Sequence, residues 1–170
     1  LVKDEKIDDH VLGQILEAGT WAPCHFRTEP WRFFVLEGDG RKKLGEVLVE
    51  IAKNNGETDE GKLEKVLSKP FRAPVIVAVA VEPSDNPKAI HIEEIGAVNA
   101  AIQNMLLAAH SLGVASIWRT GKPTYDPLMK QFFGLSEKGE VLGFLYFGYP
   151  KRDLPEGKRK SYEEVTTWIK

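Results

Sequence analysis

Few residues in this 170-residue chain have the type and spacing to do chemistry, and those few fall in four places. Cys24 and His25 are a thiol beside an imidazole, but adjacent positions are poor geometry for a thiolate–imidazole pair, which needs the two groups to converge from separate elements. His91-Ile92-Glu93-Glu94 offers an imidazole and two carboxylates. The group reads as a partial metal site or, with no ligand at all, as acidic residues suited to the positive end of a helix. Trp118-Arg119-Thr120-Gly121 sets a guanidinium between an indole and a glycine that leaves backbone N–H groups open to close approach. Arg119 reads equally as a structural ion-pair partner, and Trp118 as the residue that closes a strand. Lys158-Arg159-Lys160 is a cationic run that reads as an anion contact or as a solvated face. No Gly-x-x-x-x-Gly-Lys-Ser/Thr loop, no Gly-x-Gly-x-x-Gly and no Gly-x-Ser-x-Gly elbow is present, and Gly38-Asp39-Gly40 reads as a turn.

The elements that must position these residues follow from hydrophobic period and punctuation. Asp8 or Asp9 can cap a first helix, Ile7 can staple onto it, and Val11, Leu12, Ile15, Leu16 and Gly19 share one face until Pro23 ends the pattern. A loop without a period joins Trp21 to Trp31, with Trp31 itself expected in the core. A strand is predicted over 32–36, closed by the turn at 38–40, then an amphipathic helix over 41–53. The charged stretch 54–69 reads as a mobile loop or a frayed helix. Pro74 introduces Val75–Val81, apolar on both faces as an inner strand is. Residues 90–112 are the longest helical candidate, apolar or small almost all round, which in a chain this short implies cover from a second subunit. Gly113 stops that helix, 114–118 follow as a second inner strand, a helix spans about 126–133, and 141–147 form a third strand in which Gly143 permits close helix packing. Beyond Gly148 the chain reads as a basic, polar tail. Helices and strands without βαβ alternation favour α+β.

Bulk composition narrows the classes. Hydrophobic residues make up 42% and charged residues 28%, the balance of one soluble domain with a real core, here 1–170. A net charge of −2 argues against a nucleic-acid surface. One cysteine allows neither an intrachain disulfide nor a multi-cysteine metal site, and a reducing cytoplasm is the simplest reading. The opening Leu1–Lys6 lacks a signal-peptide core, and no apolar run reaches the roughly 18 residues of a membrane span.

Three ordered segments together resemble the nitroreductase family. Ala22-Pro23-Cys24-His25-Phe26-Arg27-Thr28-Glu29-Pro30-Trp31-Arg32-Phe33 is similar to that family's Ala-Pro-Ser-x-x-Asn-x-Gln-Pro-Trp-x-Phe loop and strand. Ala108-Ala109-His110-Ser111-Leu112-Gly113 runs into Ser116-Ile117-Trp118-Arg119-Thr120-Gly121, and Gly143-Phe144-Leu145-Tyr146-Phe147-Gly148-Tyr149-Pro150 completes the set. Lys158–Ser161 and Glu163–Val165 extend the match, and the Trp-Arg-Thr-Gly form is most like the family's small, minimal members. The chain departs from the pattern in Cys24 for Ser, Arg27 for Asn and Glu29 for Gln. It begins downstream of the Arg-Arg-Ser motif that holds the FMN phosphate and ribityl chain in the family.

The resemblance implies an α+β fold with a mainly antiparallel sheet flanked by helices, and an obligate homodimer with FMN at its interface. It implies cofactor contacts from Trp21, Ala22, Pro23, Cys24 and His25, in part across the dimer, and from Trp118, Arg119, Thr120 and Gly121. Arg159 or Lys160 would supply a cation for the phosphate, and Arg119 a cation near the flavin's pyrimidine edge. No side chain is expected as an obligatory acid or base, and no metal. Activity would be hydride transfer from NADH or NADPH to nitroaromatic, quinone or similar small acceptors, each stacking in turn on one flavin face in ping-pong order. A flavin carrier or sensor without turnover is the alternative, and a ligand-free interaction protein a third reading.

Overall fold

In the computed structural model, which describes residues 2–152 and 157–170, a four-stranded antiparallel sheet separates two helical layers. The strands are β1 (Trp31–Leu36), β2 (Val75–Val81), β3 (Ala115–Arg119) and β4 (Glu140–Gly148), in the order β1-β2-β4-β3. The helices are α1 (Asp9–Thr20), α2 (Asp39–Asn54), α3 (Glu60–Ser68), α4 (His91–Ser111) and α5 (Pro127–Phe132).

Strand alternation assigns the layers. Val75, Val77, Val79 and Val81 of β2 join Leu145 and Phe147 of β4 in a core with α1 and α4. Ile76, Ala78 and Ala80 join Phe144 and Tyr146 in a second core with α2 and α5. Every residue of β2 is buried, which accounts for its unbroken apolar run.

Local chemistry sets the helix ends. Asp8 accepts the His10 N–H at 2.8 Å, and Asp126 accepts the Leu128 N–H at 3.0 Å with Pro127 in the first turn. Asp59 accepts the Lys62 N–H at 2.8 Å and starts α3, so part of the charged stretch read as a mobile loop or frayed helix is an ordered helix. The cap was legible only with α2 in place, because α3 buries no residue of its own and packs on its neighbour. Turn-forming Gly38-Asp39-Gly40 instead opens α2, with Gly38 at its cap position and φ 46°.

The α4 terminus feeds β3 directly. Gly113 takes φ 73°, its N–H reaches the His110 carbonyl at 3.1 Å, and the Val114 N–H reaches Ala109 at 2.8 Å. These two hydrogen bonds satisfy carbonyls of the last turn and lead the chain into the sheet. The strand it enters is not an inner one as the apolar run implied: β3 pairs with β4 alone and lies at the edge, with Ile117 half exposed. Apolar content misled because an edge residue facing a cavity is as hydrophobic as one facing a helix. Helix α4 likewise buries one side through Val98, Ala101, Ile102, Met105 and Ala109, while Ile92 and Leu107 face outward in the single chain. No helix among the described residues is long and apolar enough to cross a membrane.

Candidate functional site

Two regions carry the sequence-predicted site residues, and separate elements hold them. The first is the loop after α1. Gly19 lets α1 lie against α4, since a Cβ there would meet Met105 and Phe33 at 3.0 Å, and Asn104 of α4 donates to the Ala18 carbonyl at 3.2 Å. The chain that leaves this fixed end exposes Trp21, Pro23 and His25, buries Ala22 and half-buries Cys24. The Cys24 thiol does not engage the His25 ring. Its sulfur instead accepts the Glu29 N–H at 3.3 Å and lies 3.6 Å from the Thr28 hydroxyl, folding the loop on itself. Phe26, Arg27 and Glu29 take φ of 57°, 51° and 47°. Left-handed backbone on side-chain-bearing residues carries strain. The Asn of the family pattern, which tolerates that conformation, stands where this chain has Arg27.

The second region is the outer edge of the sheet. A cavity of about 500 Å3 opens there, lined by Val2, Arg72, Ala73, Ala115, Ser116, Ile117, Arg119 and Tyr146. Arg119 ends β3 opposite Phe144, so it points to the same side as Tyr146, two residues along β4. Its guanidinium carbon lies 5.6 Å from the Tyr146 ring centroid. Arg72 reaches the same place from the turn before β2. Burial raises the Tyr146 phenol above its ordinary value, and Arg119 and Arg72 pull it partly back. Neither arginine has a carboxylate within ion-pair distance among the described residues. Two guanidiniums beside an apolar strand edge, without an anionic partner, are a donor set for a ligand that has flat apolar rings and acidic or phosphorylated ends.

The remaining residues are distributed around these regions. Trp118 is 39% exposed and donates from its indole Nε1 to the Leu142 carbonyl at 3.3 Å. Gly143, read as a helix-packing glycine, lies against that indole instead, because its β4 position borders the edge strand. Thr120 and Gly121 are exposed past the end of β3, Gly121 with φ 135°. Arg159 and Lys160 are exposed, and among the described residues Arg159 donates to the neighbouring Lys158 carbonyl at 2.8 Å. Residues 153–156, part of the predicted tail, lie outside the described residues. Arg72 and Tyr146 were missed by the sequence reading. The available signal was an arginine between Phe71 and Ala73, immediately before an inner strand.

A larger cavity, about 650 Å3, lies by the N-terminus of α4, the start of β4 and α5. Most of its polar side chains have partners: His91 bonds to Glu140 at 2.9 Å, Lys138 pairs with Asp85 at 3.2 Å, Lys130 donates to the Glu137 backbone carbonyl, and buried Glu94 accepts the Ser84 N–H at 3.1 Å. No cluster of three metal-ligating side chains occurs among the described residues. The edge cavity, with two guanidiniums that form no ion pair among the described residues and an apolar strand edge beside them, is the better candidate.

Comparisons with known proteins bear on the family and the fold. The chain is 38% identical over 140 residues to YdjA of Escherichia coli K12, provisionally named an NAD(P)H nitroreductase; the match covers 82% of this chain and 76% of that protein. Its fold superposes on a nitroreductase-like family protein from Bacillus cereus with a TM-score of 0.82 at 29% identity, covering 99% of this chain and 88% of that one. A Bacteroides fragilis nitroreductase solved with bound FMN gives a TM-score of 0.70 at 26% identity, covering 99% and 91%. The family model that describes the Nitroreductase family matches residues 2–149, and with the antiparallel sheet, its two helical layers and the three ordered segments this chain belongs to the Nitroreductase family.

Proposed function

We propose that this chain is an FMN-dependent oxidoreductase that draws hydride from NADH or NADPH and delivers it to a small oxidised organic acceptor such as a nitroaromatic or a quinone. The observation that carries the reading is the edge cavity in which Arg72 and Arg119 form no ion pair among the described residues. FMN, when bound, supplies the two-electron chemistry. The chain's own residues bind and orient.

Arg119 and Arg72 offer positive charge where a flavin is electron-rich, and favour negative charge on it. Backbone N–H groups at Thr120 and Gly121 serve its polar edge, and Arg159 or Lys160 its phosphate. The apolar edge formed by Ala115 and Ile117 gives the rings a wall, and Trp118 flanks it from the neighbouring position of β3. The 21–25 loop sits on the α1–α4 side, and among the described residues no hydrogen bond joins it to the 118–121 strand end. In this reading its Trp21, Ala22, Pro23, Cys24 and His25 complete the site of a second copy. A homodimer also covers the outward Ile92 and Leu107 of α4 and the exposed Trp168 and Ile169. No side chain is assigned as acid or base. One open side of the site receives nicotinamide and acceptor in turn, the order that gives ping-pong kinetics.

The test is an FMN titration followed by flavin fluorescence and melting temperature, then anaerobic addition of NADH or NADPH. Quenched flavin fluorescence, a raised Tm and bleaching by the nicotinamide are expected. A protein whose Tm and flavin signal ignore saturating FMN defeats the proposal. Bound flavin that neither nicotinamide bleaches would favour a carrier or sensor.

A further inference from the structure

We propose that Gly143 and Trp118 form a latch that positions Arg119, so that a residue of β4 outside the cavity governs how the cavity meets its cofactor. The proposal rests on the FMN reading for its consequence, though the latch itself is a property of the chain.

An edge strand is held on one side only, and its last residue is the least constrained. Arg119 is that residue of β3. Directly before it, Trp118 folds toward β4 and donates to the Leu142 carbonyl at 3.3 Å, the one side-chain hydrogen bond from β3 among the described residues. The seat for the indole is an irregularity in β4. Val79 pairs with Gly143 while Ala80 pairs with Val141, so Leu142 is an extra residue and the strand bulges there. Gly143 takes φ 155°, a backbone that side-chain-bearing residues rarely adopt. A Cβ at this position would overlap the Trp118 indole nitrogen, lie 2.7 Å from its Cδ1 and stand 3.0 Å from the Arg119 carbonyl oxygen. Only glycine leaves the indole and the strand end where they are.

Seating Trp118 fixes Arg119 by alternation. Successive side chains of a strand point to opposite faces. Trp118 lies opposite Leu145, which belongs to the α1–α4 core, and Arg119 lies opposite Phe144, on the Tyr146 side. An indole locked toward one face therefore holds the guanidinium toward the other, over Tyr146 and into the cavity. Gly143 is a positioning residue: it acts through Trp118 and touches no ligand.

The experiment compares the full chain with Gly143→Ala, Trp118→Phe, Trp118→Ala and the double variant Gly143→Ala/Trp118→Ala. Three quantities are read: FMN dissociation constant, flavin midpoint potential, and amide exchange over 116–120 in the apoprotein. Gly143→Ala is expected to weaken FMN by about tenfold or more, as a misplaced binding group does. It should also make the potential more negative, because a cation has left the flavin, and speed exchange at the end of β3. The double variant should be little worse than Trp118→Ala alone, since both changes break one device. A folded Gly143→Ala protein with an FMN constant within about twofold of the unaltered chain, the same potential and additive effects overturns the latch. Where Gly143→Ala does not fold, Trp118→Phe carries the test: it keeps an apolar ring and removes only the N–H to Leu142. The same directions at smaller size support the latch, and no shift overturns it. If the unaltered chain takes up no FMN, the functional reading fails, while apoprotein exchange still decides the latch.

Discussion

The loop at 24–29 and the β3–β4 edge solve the same backbone problem in opposite ways. At the edge, unusual dihedrals fall on glycines: Gly113 at φ 73°, Gly121 at 135° and Gly143 at 155°. In the loop they fall on Phe26, Arg27 and Glu29, three side-chain-bearing residues within four positions. The edge is thus relaxed by residue choice, and an added side chain harms it. The loop stores strain, held by the Cys24 contacts to Thr28 and Glu29 and by the fixed end of α1. Retained strain is what a functional constraint on side-chain identity would leave in this loop, which we propose completes the site of a second copy.

The largest effect expected from this contrast is at the edge arginines. Arg72→Ala and Arg119→Ala should each weaken FMN by about 10- to 100-fold, the equivalent of roughly 1.5–3 kcal/mol for a charged hydrogen bond. Flavin fluorescence titration reads this, and unaltered binding in both would move the site away from the edge. Next is Gly121→Ala. A Cβ there meets nothing nearer than Pro123 Cδ at 3.9 Å, so the cost is backbone strain alone, about 1–3 kcal/mol. Thermal melting should show a fall of several degrees, and an unchanged Tm would show that the edge does not depend on its glycines.

Phe26→Gly should act in reverse. Relief of about 1 kcal/mol or more of left-handed strain, less part of that for the added chain entropy of glycine, predicts a Tm higher by a degree or a few. A lower Tm would erase the difference between the two regions. The smallest effect belongs to Tyr146. Its folded-state phenol titrates above the unfolded value, so the folded chain keeps a proton that the unfolded chain has released. Stability should therefore fall as pH rises beyond about 10. Tyr146→Phe should flatten that fall in a pH series of melts; an unchanged slope would show that the phenol is not held neutral by the cavity.

Much of the scaffold is written in local patterns. Asp8 and Asp126 cap helices because a short carboxylate finds the free N–H groups of the next turn. The run Val75–Val81 becomes a fully buried strand because no position in it tolerates water. Gly113 ends α4 because only a residue free of Cβ turns that corner cheaply. The ordered segments around Ala22-Pro23, Trp118–Gly121 and Gly143–Pro150 carried the family by themselves. Strand order was decided elsewhere, and with it the fact that β3 is an edge with its apolar face on a cavity. So was the meeting of Arg72 with Arg119 and Tyr146, residues 47 and 74 positions apart from Arg72 in the chain. Hydrophobic period reports that a residue avoids water, not which neighbour it finds. That choice is made by long-range pairing, when β4 inserts between β2 and β3 and brings distant charges to one rim.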